Sequence, residues 1–143
     1  ADMTTRILDA GVNLVQRQKA DEESSLRYDN VMWRQTLSSL DALTMYRLRS
    51  GPRINAKGVR TFLLKDISFP RSVNYCLQEI GVAIRHLPNR RKTLARFSEI
   101  QDELINTESA LFSSTELITH LDNLQRGLNG MSHTILHTWC YRD

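Results

Sequence analysis

Few residues in this sequence break helices or form cross-links. Three prolines and six glycines among 143 residues argue against disorder and against a turn-rich β architecture. No apolar run reaches the length that crosses a bilayer, and no signal-peptide pattern opens the sequence. The two cysteines, Cys76 and Cys140, lack the spacing of a paired motif, which favours reduced thiols and a cytoplasmic protein.

The composition is that of an ordinary globular protein. With 41% hydrophobic and 24% charged residues, the chain is long enough to bury a core, and we expect a single domain over residues 1–143. The net charge of +3 permits nucleic-acid binding but does not indicate it.

Apolar residues recur at intervals of three and four along most of the chain. This spacing predicts about six helices, and no sustained period-two segment indicates a strand. We therefore expect an all-α bundle of mostly antiparallel helices. Two of the predicted helices are long, over residues 31–50 and from 114 to about 139, and Asn55 and Ser113 are predicted N-caps.

The first predicted helix has an apolar stripe but no preceding N-cap residue. The stripe consists of Met3, Ile7, Leu8, Leu14 and Val15. We infer that this helix begins upstream of the sequence and that its apolar face loses a packing partner here. An unpaired apolar face would favour a homo-oligomer.

The segment FLLKDISFPRSV, residues 62–73, indicates that one helix ends and another begins within a few residues. Three consecutive residues suit the new helix as cap, hydrophobic staple and first helical residue: Ser68, Phe69 and Pro70. Arg71 would then lie beside the positive end of the helix dipole, which is mildly unfavourable. We therefore expect an anion next to Arg71, either Asp66 or a group outside the chain.

The same segment resembles the FLLxDxxFPRSV signature of the bacterial alpha-E family. Three other stretches also resemble the family: residues 1–9, which look like its ERADMTxRLLDV stretch without the Glu-Arg; Trp33 to Arg47, which look like its W-x-x-x-L … A-Y-R-R segment; and the C-terminal residues 136–141. The resemblance spans essentially the whole chain, and FPRSV is its specific part.

The resemblance implies a helical protein that works with other proteins. Alpha-E proteins are about twice this length, and the chain resembles their C-terminal half. They are encoded beside, or fused to, circularly permuted ATP-grasp proteins and transglutaminase-like peptidases, and their own activity is not established. The expected partner is therefore an ATP-grasp-type protein, a transglutaminase-like peptidase, or both, with no cofactor and no membrane association.

Two sets of polar residues are candidate sites. At the junction, Arg71 with Asp66 and Ser72 would either bind a phosphate or carboxylate at the helix N-terminus or clasp the two helices together. On the first helix, Asp2, Arg6 and Asp9 share one face, either as a surface ladder or as a polar network facing the absent half.

Other reactive or basic residues are weaker candidates. His133 and His137 are four residues apart on a predicted helix, but no carboxylate lies between them, so we expect no metal site. The basic stretch Arg90-Arg91-Lys92 lacks interleaved aromatic residues, and we expect a solvated loop and no nucleic-acid partner.

Two functions remain. The first is a helical interaction module without its own catalytic site, acting with a ligase or peptidase. The alternative is a component of an enzyme pocket for an anionic substrate, in which Arg71, Asp66 and Arg6 line a site completed by the missing half.

Overall fold

The computed structural model describes residues 1–18, 25–110 and 113–141, which form seven α-helices and a terminal π-helical turn. The helices are α1 (Asp2–Gln18), α2 (Ser25–Ser39), α3 (Leu43–Ser50), α4 (Ala56–Lys65), α5 (Val73–Arg85), α6 (Arg91–Ala110) and α7 (Ser114–Ile135), and the π-helical turn spans Leu136–Cys140. No strand occurs in these ranges, so the predicted all-α fold is confirmed. Within the same ranges, no helix combines the length and apolar character needed to cross a membrane.

The extra helix arises because the predicted helix over residues 31–50 is interrupted. Asp41 adopts a left-handed conformation, with φ at 50°. The Ala42 N–H donates to the Leu37 carbonyl at 2.8 Å, and the Asp41 N–H donates to the Ser38 carbonyl at 3.0 Å, which together close α2 with a Schellman motif. Glycine is the usual residue at such a position and aspartate a less common one, so this helix end gave little signal in the sequence.

Two predicted N-caps are confirmed. The Asn55 side chain accepts a hydrogen bond from the Gly58 N–H at the start of α4. The Ser113 side chain accepts one from the Glu116 N–H at the start of α7. Both oxygens satisfy backbone donors that a helix N-terminus leaves without partners.

Helix α1 lies against most of the bundle and contacts α2, α4, α5 and α7. Its predicted stripe is split between two faces, because Leu8 and Val15 are buried whereas Met3 and Leu14 are exposed. The exposed pair places apolar surface on the outer side of α1. Self-association through this face stays a prediction.

Helices α6 and α7 pack closely along each other. A Cβ atom added at Gly127 would lie 2.9 Å from Ile100 Cγ1, so the glycine lets the two helices approach. The glycine thus permits the close approach of the two helices, and α7 continues through this residue without a break.

Candidate functional site

Asp66 ends α4 and organises the turn that follows it. Its Oδ1 atom accepts hydrogen bonds from the backbone N–H groups of Ser68, at 2.8 Å, and Phe69, at 2.7 Å, and from the Ser68 hydroxyl at 3.1 Å. Its Oδ2 atom forms an ion pair with Arg49 Nη1 at 3.1 Å. Only 10% of the side chain is exposed, so the carboxylate is enclosed by donors from its own chain.

These contacts determine the ionisation of Asp66. Desolvation by burial raises the pKa of the carboxyl group, but the three hydrogen bonds and the charge of Arg49 oppose it. The opposing contacts prevail, and the pKa lies below its ordinary value. Asp66 is therefore an ionised structural group at neutral pH.

Helix α5 begins three residues later than predicted. Ser72 is its N-cap: the Oγ atom accepts from the Tyr75 N–H at 3.0 Å and donates to the Asp66 carbonyl. The assignment of Ser68 as cap and Pro70 as first helical residue was wrong, since both lie in the turn before α5. The turn forms there because Ser68 is held by Asp66.

Arg71 lies away from Asp66, and the predicted clasp between them was wrong. Its Nη1 atom donates to the Leu40 carbonyl at 2.6 Å and pairs with Asp41 Oδ2 at 2.7 Å. Leu40 and Asp41 close α2, so the guanidinium lies at the negative end of that helix dipole, where a cation is favourable. The Arg71 carbonyl in turn accepts a hydrogen bond from Thr4 Oγ1 at 2.6 Å. Arg71 thus ties the junction to α1 and α2 and already has an anion from its own chain.

The polar residues of α1 form two separate contacts. Arg6 Nε pairs with Asp2 Oδ2 at 2.9 Å, as the spacing predicted. Asp9 instead accepts a hydrogen bond from the Asn13 side chain at 3.0 Å. Burial, and then the charge of Asp122 on α7, raise the pKa of Asp9, whereas the Asn13 hydrogen bond lowers it. The three residues therefore do not form one ladder.

The two C-terminal histidines lie side by side on the last turns of the chain. The Nε2 atoms of His133 and His137 are 3.1 Å apart, at the edge of a concavity of about 720 Å³ that Arg91 and Lys92 also line. Two cations beside the imidazoles disfavour a metal ion. Among the described residues, no group of three or more metal-ligating side chains comes together.

The most uneven distribution of charge in the chain lies elsewhere, between α2 and the end of α4. Residues 42–65 contain six of the 19 lysines and arginines and none of the 16 aspartates and glutamates. This one segment carries twice the net charge of the whole sequence, which is +3. The exposed part of residues 42–65, together with Arg34 of α2, is here called the cationic face. A count of charges along the sequence would have found it.

The cationic face has two adjoining concavities that share Asn55. One, of about 580 Å³, lies beside the junction and is lined by residues that include Lys57, Lys65 and the ion pair of Arg49 with Asp66. The other, of about 490 Å³, is lined by residues that include Arg34, Arg47 and Arg53 and is here called the arginine cavity.

The backbone between the two concavities is held by short-range contacts. Gly51 turns the chain after α3 with φ at 83°, a conformation that favours glycine. The Tyr46 hydroxyl donates to the Arg53 carbonyl at 3.3 Å. Burial raises the pKa of Tyr46, which keeps this donor protonated. The loop that carries Arg53 is thus fixed to the core.

The comparisons with known proteins agree with the helical fold. Residues 1–140 match the model of the Alpha-E family, described as a predicted alpha-helical domain with a conserved ER motif. No curated protein and no solved structure matches the chain. An adjacent Glu-Arg pair does not occur in the 143 residues, so none of the contacts described above belongs to that motif.

Proposed function

The chain belongs to the Alpha-E family, and from this premise we propose that it is a helical interaction module that binds an acidic surface of a partner protein. The expected partner, from the resemblance, is an ATP-grasp-type protein that acts with it, with a transglutaminase-like peptidase as a further member of the same system. The cationic face is the docking surface in this proposal.

The observation that carries the proposal is the concentration of positive charge on a folded surface. Six cations and no carboxylate lie within residues 42–65, and most of these cations are exposed. Such a field attracts an acidic surface, speeds association and disfavours basic competitors.

The cationic face also offers apolar contact area. Leu48 lies between Arg47 and Arg49 with 76% of its surface exposed, and Val31 is 52% exposed nearby on α2. An exposed leucine flanked by arginines suits a protein interface, in which apolar anchors are surrounded by charged residues.

The alternative, an anionic-substrate pocket at Arg71, Asp66 and Arg6, has less support. Arg71 is paired with Asp41, Asp66 with Arg49, and Arg6 with Asp2. Each group already has an opposite charge from this chain, and of the three only Asp66 lines a concavity described above.

The test is a binding measurement between this chain and the ATP-grasp-type protein encoded with it. The double variant Arg47→Glu/Lys57→Glu reverses charge in both concavities and should weaken binding by about tenfold or more. The matched control, Arg85→Glu/Arg126→Glu, makes the same change in net charge at exposed positions on α5 and α7. It should change the affinity by about twofold or less.

The salt dependence supplies a second measurement. Binding of the unaltered chain should weaken steeply as salt rises from about 0.05 to 0.3 M, because exposed charges are screened over that range. Absence of binding at low salt, or an equal loss in the control variant, would reject the cationic face as the docking surface.

A further inference from the structure

The three arginines of the arginine cavity differ from most other described lysines and arginines in that their side chains have no hydrogen-bond or ion-pair partner. Arg34 comes from the middle of α2, Arg47 from the last turn of α3 and Arg53 from the loop before α4. Three different elements thus bring three guanidinium groups to one concavity of about 490 Å³. No hydrogen bond or ion pair joins any of the three side chains to another residue within ranges 1–18, 25–110 and 113–141.

Among the described residues, no carboxylate lines the cavity. Its remaining polar side chains are the amides of Asn30 and Asn55, and its apolar wall includes Val31, Pro52 and Ile54. Asp29 precedes Asn30 on α2, but its charge acts on the buried Arg60 and does not line the cavity. Three like charges without a counter-ion repel one another, and a bound anion would relieve that repulsion.

A helix dipole offsets the repulsion at only one of the three arginines. Arg47 gains some stability from the dipole of α3, because it lies in the last turn. Neither Arg34 nor Arg53 is at a helix C-terminus. In the described part of the chain, neither of these two arginines has an ion pair that would offset its repulsion from Arg47.

The cavity is also partly preorganised. The Arg53 backbone is held by the Tyr46 hydroxyl, and Asn55 is fixed by its hydrogen bond to the Gly58 N–H at 2.7 Å. A loop held at both ends loses less entropy when its side chains close on a ligand. Each guanidinium presents a planar fork of N–H donors that matches two oxygens of a carboxylate or phosphate.

We propose that the arginine cavity binds a small, multiply charged oxyanion, with the guanidinium groups of Arg34, Arg47 and Arg53 as its ligands. The shared chemistry is that of carboxylate and phosphate oxygens. The arginine cavity is part of the cationic face, but this proposal does not require the protein partner, since the ligand is small enough to enter a cavity of this volume.

The test uses isothermal titration calorimetry of the 143-residue chain with two probes, citrate and pyrophosphate, at constant ionic strength. At least one probe should bind. Each single change, Arg34→Met, Arg47→Met or Arg53→Met, should weaken that binding by about tenfold, and the triple variant should not bind detectably. Binding of citrate alone would identify carboxylates as the natural chemistry, and binding of pyrophosphate alone would identify phosphates.

The matched control is Arg85→Met/Arg126→Met, which removes exposed cations elsewhere and should leave the affinity unchanged. Arginine side-chain NMR signals of the unaltered chain give a readout that does not depend on any variant folding, and the Nε–H signals of Arg34, Arg47 and Arg53 should shift on addition of the probe. Lack of binding by both probes, equal weakening in the control, or shifts confined to other arginines would overturn the proposal. Because the probes are small anions, its failure would leave the docking of a partner protein to be judged by its own experiment.

Discussion

The junction after α4 and the arginine cavity both contain arginines at the surface, but they differ in whether those arginines have ion-pair partners. At the junction, Arg49 pairs with Asp66, and Arg71 pairs with Asp41 and the Leu40 carbonyl. In the cavity, three arginines converge, and the lining residues that the structure describes include no carboxylate.

The comparison teaches that the most recognisable segment of a sequence need not be its binding site. In the FPRSV segment, Phe69, Arg71 and Ser72 each satisfy a backbone group or hold a neighbouring helix. The cationic face instead presents Arg34, Arg47 and Arg53, which have no ion pair among the described residues. Removing charged side chains from the junction should therefore lower the free energy of unfolding, whereas removing them from the arginine cavity should change it little.

The largest expected effect is on Asp66. Asp66→Ala leaves two backbone N–H groups, one hydroxyl and Arg49 without their acceptor, and we expect the free energy of unfolding to fall by roughly 2–4 kcal/mol. The matched control is Asp41→Asn, because Asp41 is 80% exposed and asparagine tolerates its left-handed backbone. Urea denaturation should show a change of about 0.5 kcal/mol or less for the control. Similar losses of unfolding free energy in both variants would contradict the conclusion that Asp66 is a buried acceptor for several internal donors.

Ser72→Ala should have the next largest effect. It removes the N-cap of α5 and the donor to the Asp66 carbonyl, and we expect a loss of about 1–2 kcal/mol. Ser68→Ala is the useful comparison, because Ser68 was the predicted cap and its backbone N–H still reaches Asp66 without the hydroxyl. Thermal denaturation should show the greater loss for Ser72, and the reverse order would restore Ser68 as the cap.

Substitutions of Arg71, at the junction, and of Arg47, in the arginine cavity, compare directly how much each region contributes to stability. Arg71→Met removes the cation that closes α2, and the loss should be about 1 kcal/mol. Arg47→Met removes a cation that has no ion pair among the described residues, and stability should change by no more than about 0.5 kcal/mol. Equal losses in urea denaturation would mean that the two regions do not differ as described.

Acid should act on Asp66 and Asp9 with opposite signs. The pKa of Asp66 is lowered in the folded protein, so its contribution is complete above its ordinary pKa of 3.8 and is lost as pH falls through the lower folded value. The pKa of Asp9 is raised, so the folded state gains relative stability as pH falls through that raised value towards 3.8. Unfolding free energies measured from pH 6 to about 2.5 should therefore show a shallower acid loss for Asp66→Asn and a steeper one for Asp9→Asn. The same change of slope in both variants would contradict these opposite shifts.

Much of the fold was accessible from periodicity and caps. The helical class and the N-caps Asn55 and Ser113 follow from local rules that act within a few residues. The end of α2 at Asp41 was missed because the left-handed residue there is not glycine. The start of α5 was misplaced because Ser68 and Ser72 both suit an N-cap, and only the position of Asp66 assigns Ser68 to the turn.

The sequence by itself determined an all-α chain, its membership of the Alpha-E family and a marked excess of positive charge over residues 42–65, because composition and short-range spacing require no long-range contact. Only the tertiary structure decided which charges have partners. Arg71 meets Asp41 and not Asp66 because folding places the end of α2 beside the turn, and Arg34 meets Arg47 and Arg53 because α2 packs beside α3 and α4. Such ion pairs depend on the distances between helices that are far apart in the sequence. A rule for the spacing of residues within one helix does not predict such distances.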